Sequence, residues 1–302
     1  MAQEHPAFRS GFVAIVGRPN VGKSTLLNQL VGRKVAIMSN RPQTTRHQIR
    51  GVVTTDSGQM IFIDTPGIHK PKHRLGEAMV ETALAALREV DVVLFVADIT
   101  SSQIDQDRQI LQRMKDLTTP VFLVLNKIDA EEKGKILSKI EQYQSLYPFA
   151  EHIPVSAKRG TQLNVLTEQI MFVLPEGPKY YPDHMVTDHP ESFLIEEMIR
   201  EKVIHLTREE IPHSVAVVLE QMEQRPRGTL YVQAVIYTER DSQKGILIGK
   251  QGAMLKKVGE LARAELERLL GNKMYLELWV KVKKDWRNDD SVLRRFGFEN
   301  LS

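Results

Sequence analysis

Between the apolar run Phe-Val-Ala-Ile-Val (12–16) and a stretch of helical period from Lys23 to Val31 lies Gly17-Arg18-Pro19-Asn20-Val21-Gly22-Lys23-Ser24. This segment fits G-x-x-x-x-G-K-[ST] in the strand-to-helix setting that the pattern requires. Glycines let main-chain N–H groups turn inward around phosphate, while a lysine and a hydroxyl at the helix start suit the β/γ-phosphates and a Mg²⁺ ion. Lys23 and Ser24 are assigned those roles, with Gly17, Asn20, Val21, Gly22 and Thr25 completing the phosphate-binding set. An ordinary Gly turn before a helix is the bland alternative, and the flanking strand and helix weigh against it.

From Gly11 to about Val173, further short apolar runs (MIFID, VVLFVAD, VFLVLN) alternate with helical stretches at Gly76–Arg88, Gln103–Lys115 and Gly134–Tyr147. Strands buried on both faces with helices between them predict an α/β unit around a mostly parallel sheet, with helices on both faces. Leu174 to Pro190 breaks the pattern with four prolines and reads as a linker. Beyond it a helix (Ser192–Leu206), two strands (Ser214–Met222, Thr229–Thr238), a short helix (Gln243–Ile248), a long helix (Ala253–Leu270) and a strand (Met274–Val282) predict a smaller α+β domain. The expected boundaries are 1–174, a linker at 175–190, a second domain at 191–284 and a tail at 285–302. The tail and Trp286 receive no assignment, and Trp279 is expected in the core.

Other polar motifs fall where these strands end. Asp64-Thr65-Pro66-Gly67 follows MIFI, so Asp64 is placed to reach the metal and Gly67 to offer its N–H to a γ-phosphate. The unperiodic segment Arg41-Pro42-Gln43-Thr44-Thr45-Arg46 supplies a hydroxyl, from Thr44 or Thr45, that would close on the metal when a γ-phosphate is present. A solvated loop is the competing reading. Ser24, Thr45 and Asp64 form the expected metal set, and Lys23, Thr45, Gly67 and Asn20 the expected catalytic set. Asn126-Lys127-Ile128-Asp129 follows VFLVL, and Ser156-Ala157-Lys158 follows HIPV.

These last two motifs resemble the base-reading loops of the translation-factor class of GTPases. The resemblance implies that Asp129 accepts from guanine, that Lys127 packs over the ring, and that Asn126, Ser156, Ala157 and Lys158 complete the pocket. Position 68, where Ras-like enzymes carry a water-orienting glutamine, is Ile68. Similar GTPases with an apolar residue there often use a monovalent cation, seated by a phosphate-loop asparagine, in place of an arginine finger. K⁺ held by Asn20 is therefore an expectation, against Asn20 as a plain turn residue.

Gly249-Lys250-Gln251-Gly252, between a short and a long helix, is the chain's one G-x-x-G. Helix-GxxG-helix in an α-β-β-α-α-β order resembles a KH domain, of type II, whose loop clamps a nucleic-acid backbone. From Lys244 to Lys284 there are ten bases and four acids, although the whole chain carries only +3. That segregation favours a basic face. Lys250 would add charge at the phosphates, Gln251, Lys256 and Lys257 join it in the expected RNA-binding set, and an apolar groove using Ile246, Leu247 and Ile248 would read bases. His69 and His73 read as solvated, for want of a third metal ligand in view.

Taken in order, GxxxxGKS, TT, DTPG, NKID, SAK and GxxG resemble the Era family of bacterial GTPases over nearly the whole chain. The resemblance implies a Mg²⁺-dependent switch that alternates between GTP and GDP and binds the 3′ end of small-subunit ribosomal RNA. It also implies help in 30S maturation, and a cytoplasmic protein with peripheral contact to the inner membrane. The sequence contains no cysteine, which excludes disulfides and thiolate metal sites and fits a reducing compartment. No apolar run approaches the roughly 20 residues that span a bilayer. Two other readings stay open: an RNA chaperone with nucleotide as a structural ligand, and a GTPase acting on a protein or membrane partner.

Overall fold

The computed structural model describes residues 7–298. The chain divides into two compact units. One comprises the described residues up to Ala36, Thr45–Lys70 and Met79–Asp188; the other comprises Ile37–Thr44, Pro71–Ala78 and the residues from His189 onward.

The first unit carries strands β1 (Arg9–Val16), β2 (Ile49–Thr55), β3 (Gly58–Asp64), β4 (Val92–Asp98), β5 (Val121–Asn126) and β6 (Glu151–Pro154) in one sheet, ordered β2-β3-β1-β4-β5-β6. Its helices are α1 (Lys23–Val31), the C-terminal part of α2 (Arg74–Ala85), α3 (Ile104–Arg113), α4 (Lys133–Gln144) and α5 (Leu163–Val173). All pairings are parallel except β2 with β3. Strands β3, β4 and β5 are buried along their whole length, as their unbroken apolar runs require when both faces are covered. Parallel register sets Ile15 beside Asp64 and Asp98 beside Asn126, so the motif-bearing loops leave the same edge of the sheet.

The segment 175–188 lies along this unit as a strap. The Ser10 N–H donates to Pro175 O (3.1 Å) and the Val52 N–H to Val186 O (2.9 Å), while Gln59 bonds the main chain of both Tyr180 and Tyr181. Prolines remove donors from the strap, but the Val186 carbonyl still accepts from an outward N–H of the edge strand β2, that of Val52.

The second unit contains α6 (Glu191–Leu206), α7 (Ile211–Ser214), β7 (Ala216–Gln224), β8 (Leu230–Thr238), α8 (Asp241–Ile248), α9 (Ala253–Leu270), β9 (Met274–Val282) and α10 (Asp290–Arg295). Its sheet runs β7-β8-β9, with the first pair antiparallel and the second parallel. One face packs on the helices through Val232, Ala234, Val258, Ala262 and Leu266, all fully buried. Trp279 was expected here and is instead 52% exposed, because alternation along β9 sends Met274 and Val280 inward and Tyr275 and Trp279 outward. Trp286, without an expectation, is fully buried and donates its indole N–H to Ser214 O at 2.9 Å. The tail then caps α10 with Asp289, whose carboxylate accepts from the Ser291 and Val292 N–H groups.

Candidate functional site

The phosphate loop turns through Gly17 and Gly22, with φ of 149° and 101°. A Cβ on Gly22 would lie 2.3 Å from Asn126 Nδ2, so this position requires glycine for space as well as for backbone conformation. Val21 is buried and Thr25 is half-buried on the first turn of α1. The Lys23 ammonium is buried within the loop, donating to Gly17 O (3.1 Å) and Arg18 O (2.9 Å). Burial lowers it to about 8, with Asp64 opposing that shift.

Ser24, Thr45 and Asp64 converge at the start of α1. The Ser24 hydroxyl donates to Asp64 Oδ2 at 2.6 Å and lies 2.8 Å from Thr45 Oγ1, and Thr45 donates to the same carboxylate oxygen at 3.4 Å. Of the two threonines left open by sequence, Thr45 makes this contact, while the Thr44 hydroxyl donates back to Arg41 O at 2.6 Å. Asp64 is fully buried, and burial pushes its carboxyl up to about 6 against the pull of Lys23 and the hydrogen bonds of Ser24 and Thr45. Its Oδ1 is buried with no hydrogen-bond partner. Two hydroxyls and an unsatisfied carboxylate oxygen form the hard, oxygen-only donor set suited to Mg²⁺, which keeps several waters and takes few protein ligands. Among the described residues no group of three His, Cys, Asp or Glu side chains is placed to hold a metal.

Gly67 lies against the phosphate loop, since a Cβ there would be 2.7 Å from Pro19 N. The next residue, Ile68, is buried and donates its N–H to Gly17 O at 3.2 Å. His69, expected as solvated, is half-buried with Nδ1 2.8 Å from Gly67 O.

The motifs at 126–129 and 156–158 meet the 17–24 loop through Asn126 and Lys127. Asn126 Nδ2 donates to Val21 O (2.8 Å), and its Oδ1 accepts from the Lys127 and Ala157 N–H groups. Lys127, with φ of 68°, sends its ammonium to Asn20 O (2.9 Å) and Asp98 Oδ2 (2.6 Å). The Ser156 hydroxyl donates to Asp129 Oδ1 at 2.6 Å, and this bond chiefly holds the Asp129 carboxyl below its usual range. Asp129 is thereby kept as an ionised acceptor. Lys158 is exposed at the rim. Sequence reading missed Asp98, although it ends an apolar strand as Asp64 does, and Arg159, whose Nε lies 3.7 Å from Asp129 Oδ2.

In the second unit Gly249, Gln251 and Gly252 all have positive φ, at 71°, 53° and 78°. Lys250 and Gln251 are exposed at this turn. Beside it a groove of about 410 Å³ is lined by Gly252, Leu255, Lys256, Gly259, Arg263 and Leu276 among others. Its apolar side chains are Leu255 on α9 and Leu276 and Leu278 on β9, and Glu260 also lines it. The helical period of α8 puts Leu247 fully in the core, half-buries Ile248 against it and leaves Ile246 exposed. Lys257 is exposed on α9, and Arg263 adds a cation to the groove that sequence reading did not single out.

Two family models match the chain: a 50S ribosome-binding GTPase over residues 12–127 and a KH domain over residues 210–287. The chain is 59% identical to the GTPase Era of Heliobacterium modesticaldum over 291 residues, 96% of this chain and 97% of the relative. To that of Carboxydothermus hydrogenoformans it is 55% identical over 293 residues, 97% and 98% of the two chains. Among solved structures, an Aquifex aeolicus Era variant bound to GDP·AlF4⁻ superposes with a TM-score of 0.93 at 43% identity, covering 96% of this chain and 99% of that one. Era in complex with MgGDPNP and nucleotides 1506–1542 of 16S ribosomal RNA gives 0.94 at the same identity and coverage.

Proposed function

The chain belongs to the Era family of GTPases, and on that premise we propose that it hydrolyses GTP in its first unit and binds small-subunit ribosomal RNA near the 3′ end through its second, assisting 30S maturation. We assign nucleotide chemistry to residues 1–174 and RNA binding to residues 191–284, joined through 175–190.

The observation that supports the catalytic half is the meeting of Ser24 and Thr45 at Asp64 Oδ2, while the other oxygen of that carboxylate, Oδ1, is buried without a hydrogen-bond partner. These residues would hold Mg²⁺, which when bound neutralises charge on the β- and γ-phosphate oxygens. Lys23, seated on two loop carbonyls, has a third N–H to offer a phosphate oxygen as the nucleotide enters. Gly67 offers its N–H to the γ-phosphate, and Thr45 reports its presence, so that loss of the γ-phosphate frees the segment before it. Asp129, kept ionised by Ser156, accepts from the guanine N1 and N2 groups, where adenine offers no matching pair of donors. Asn126 and Lys127 tie that pocket to the phosphate loop. Val21, Gly22, Thr25, Ala157 and Lys158 complete the nucleotide contacts.

Ile68 brings no polar side chain to orient the attacking water. We therefore include K⁺, seated at Asn20, as the second cation; Asn20 is exposed, with φ of 65°. GTPase rates indifferent to replacing K⁺ by Na⁺ would remove it. In the RNA-binding half, the Gly249–Gly252 turn meets the backbone, Lys250, Lys256 and Lys257 meet phosphates, and the groove on α9 and β9 takes bases. The proposal places the protein in the cytoplasm with peripheral contact to the inner membrane. Among the described residues no helix is long and apolar enough to cross a membrane.

Filter binding of a 16S 3′-terminal fragment, compared in GDP and in a non-hydrolysable GTP analogue, tests the whole reading. Tighter binding in one state is expected. Equal affinities would remove the switch, and no binding in either would remove the RNA.

A further inference from the structure

Arg18 occupies a position that the phosphate-loop pattern leaves open, yet its side chain is among the most constrained in the first unit. It is only 6% exposed and turns away from the loop's interior toward α3. Nε and Nη2 make a two-pronged contact with Asp107, at 2.8 and 3.0 Å. Nη1 donates to Gln103 Oε1 at 2.7 Å and Nη2 also donates to Ser101 Oγ at 2.9 Å. Asp107 is fully buried and takes a further hydrogen bond from the Tyr143 hydroxyl at 2.8 Å. A guanidinium spent on four bonds is not available to a phosphate, so Arg18 does not act on the γ-phosphate as an arginine finger.

Its main chain does face the chemistry. Arg18 O and Gly17 O are the two acceptors of the Lys23 ammonium. A single residue thus holds the lysine seat with its carbonyl and bolts that carbonyl to α3 with its side chain. Fork-to-fork contacts of this kind fix orientation as well as distance, because both partners are planar. The same residues joined by a lysine, or by one neutral hydrogen bond, would leave the loop free to rotate about the Gly17–Arg18 segment.

We propose that Arg18 is a positioning residue for GTP hydrolysis, anchored by Asp107, Gln103 and Ser101 so that the phosphate loop is preorganised for the β- and γ-phosphates. This rests on the GTPase reading above and adds a residue to it. Preorganisation of this sort acts on the polyphosphate and leaves base recognition by Asp129 untouched.

Breaking one side of a buried ion pair strands the other charge, so the test removes both at once. In the full-length chain, the double variant Arg18→Met/Asp107→Leu is compared with wild type for kcat and KM with Mg·GTP, and for the ratio of GDP to GMP affinity. All are measured well below each protein's Tm. The expected result is a folded protein whose GDP-to-GMP ratio falls at least tenfold, with kcat also reduced. An unchanged ratio and unchanged kcat in a folded double variant would overturn the proposal and leave Arg18 as a structural pair. Should that variant fail to fold, Ser101→Ala/Gln103→Ala keeps the ion pair and removes two of the four bonds. A fall of about threefold in the same ratio is then expected, and no change overturns the proposal. A wild-type protein without GTP hydrolysis would instead count against the preceding reading, while the affinity ratio would still decide the anchor.

Discussion

Lowering the pH should weaken nucleotide binding through one identifiable group, the Asp64 carboxyl. The carboxyl of Asp64 is raised to about 6 by burial, and the ammonium of Lys23 is lowered to about 8 by the same cause. In the proposed roles of metal ligand and phosphate ligand, Asp64 must be deprotonated and Lys23 protonated when nucleotide with magnesium binds. Below about 6, binding must therefore release a proton from Asp64, and above about 8 it must take one up onto Lys23. Affinity for Mg·GDP should be flat between these values and fall on both sides. At a pH one unit below the Asp64 value only about a tenth of the carboxyls are ionised, so affinity drops about tenfold, or about 1.4 kcal/mol. Titration calorimetry across this range, repeated in buffers of different ionisation enthalpy, gives affinity and proton count together. The Asp64→Asn variant removes the acid limb and leaves only the nucleotide's own titration. An acid limb of equal depth in both proteins would refute the assignment of that proton to Asp64.

Three other outcomes follow from the geometry. Lys23→Met should abolish the rise in Tm that GDP induces without lowering the Tm of the free protein at neutral pH, because burial already penalises the ammonium: its stabilising contribution is complete only above 10.5 and is lost as pH falls through about 8. Trp286→Ala should cost about 3–5 kcal/mol in chemical denaturation, since it empties a fully buried site and strands Ser214 O, whereas Trp279→Ala should cost far less. Lys256→Gln/Arg263→Gln should weaken 16S-fragment binding and flatten its salt dependence while GTPase rates in the absence of RNA stay at the wild-type level; an unaltered salt slope would move the interface elsewhere.

The loops that carry the polar motifs were more legible in the sequence than the scaffold around them. Loops such as 17–24, 64–67 and 126–129 stand out because each carries particular polar and glycine residues at fixed offsets directly after an apolar strand. Strand β2 escaped notice: Arg50, Gly51 and two terminal threonines interrupt its apolar run, and its partner on one side is the strap at 175–188. The two tryptophans show the same limit. Alternation along β9 could have turned Trp279 outward on paper, but which face of a strand meets the helices is settled by neighbours distant in sequence. Leu247 and Ile246 differ in burial by one helical step for the same reason. Arg18 was invisible as an anchor because nothing local links it to Asp107, 89 residues away. Spacing alone offers Thr44 and Thr45 alike, and Thr45, named in the expected metal set, is the one whose hydroxyl lies against Ser24 and Asp64.

Calorimetry of the free protein with magnesium, titrated first with GDP and then with ADP, tests the central claim most directly. A binding heat for GDP and none for ADP at the same concentrations is the predicted result. Silence with GDP, or equal heats for the two nucleotides, would contradict it.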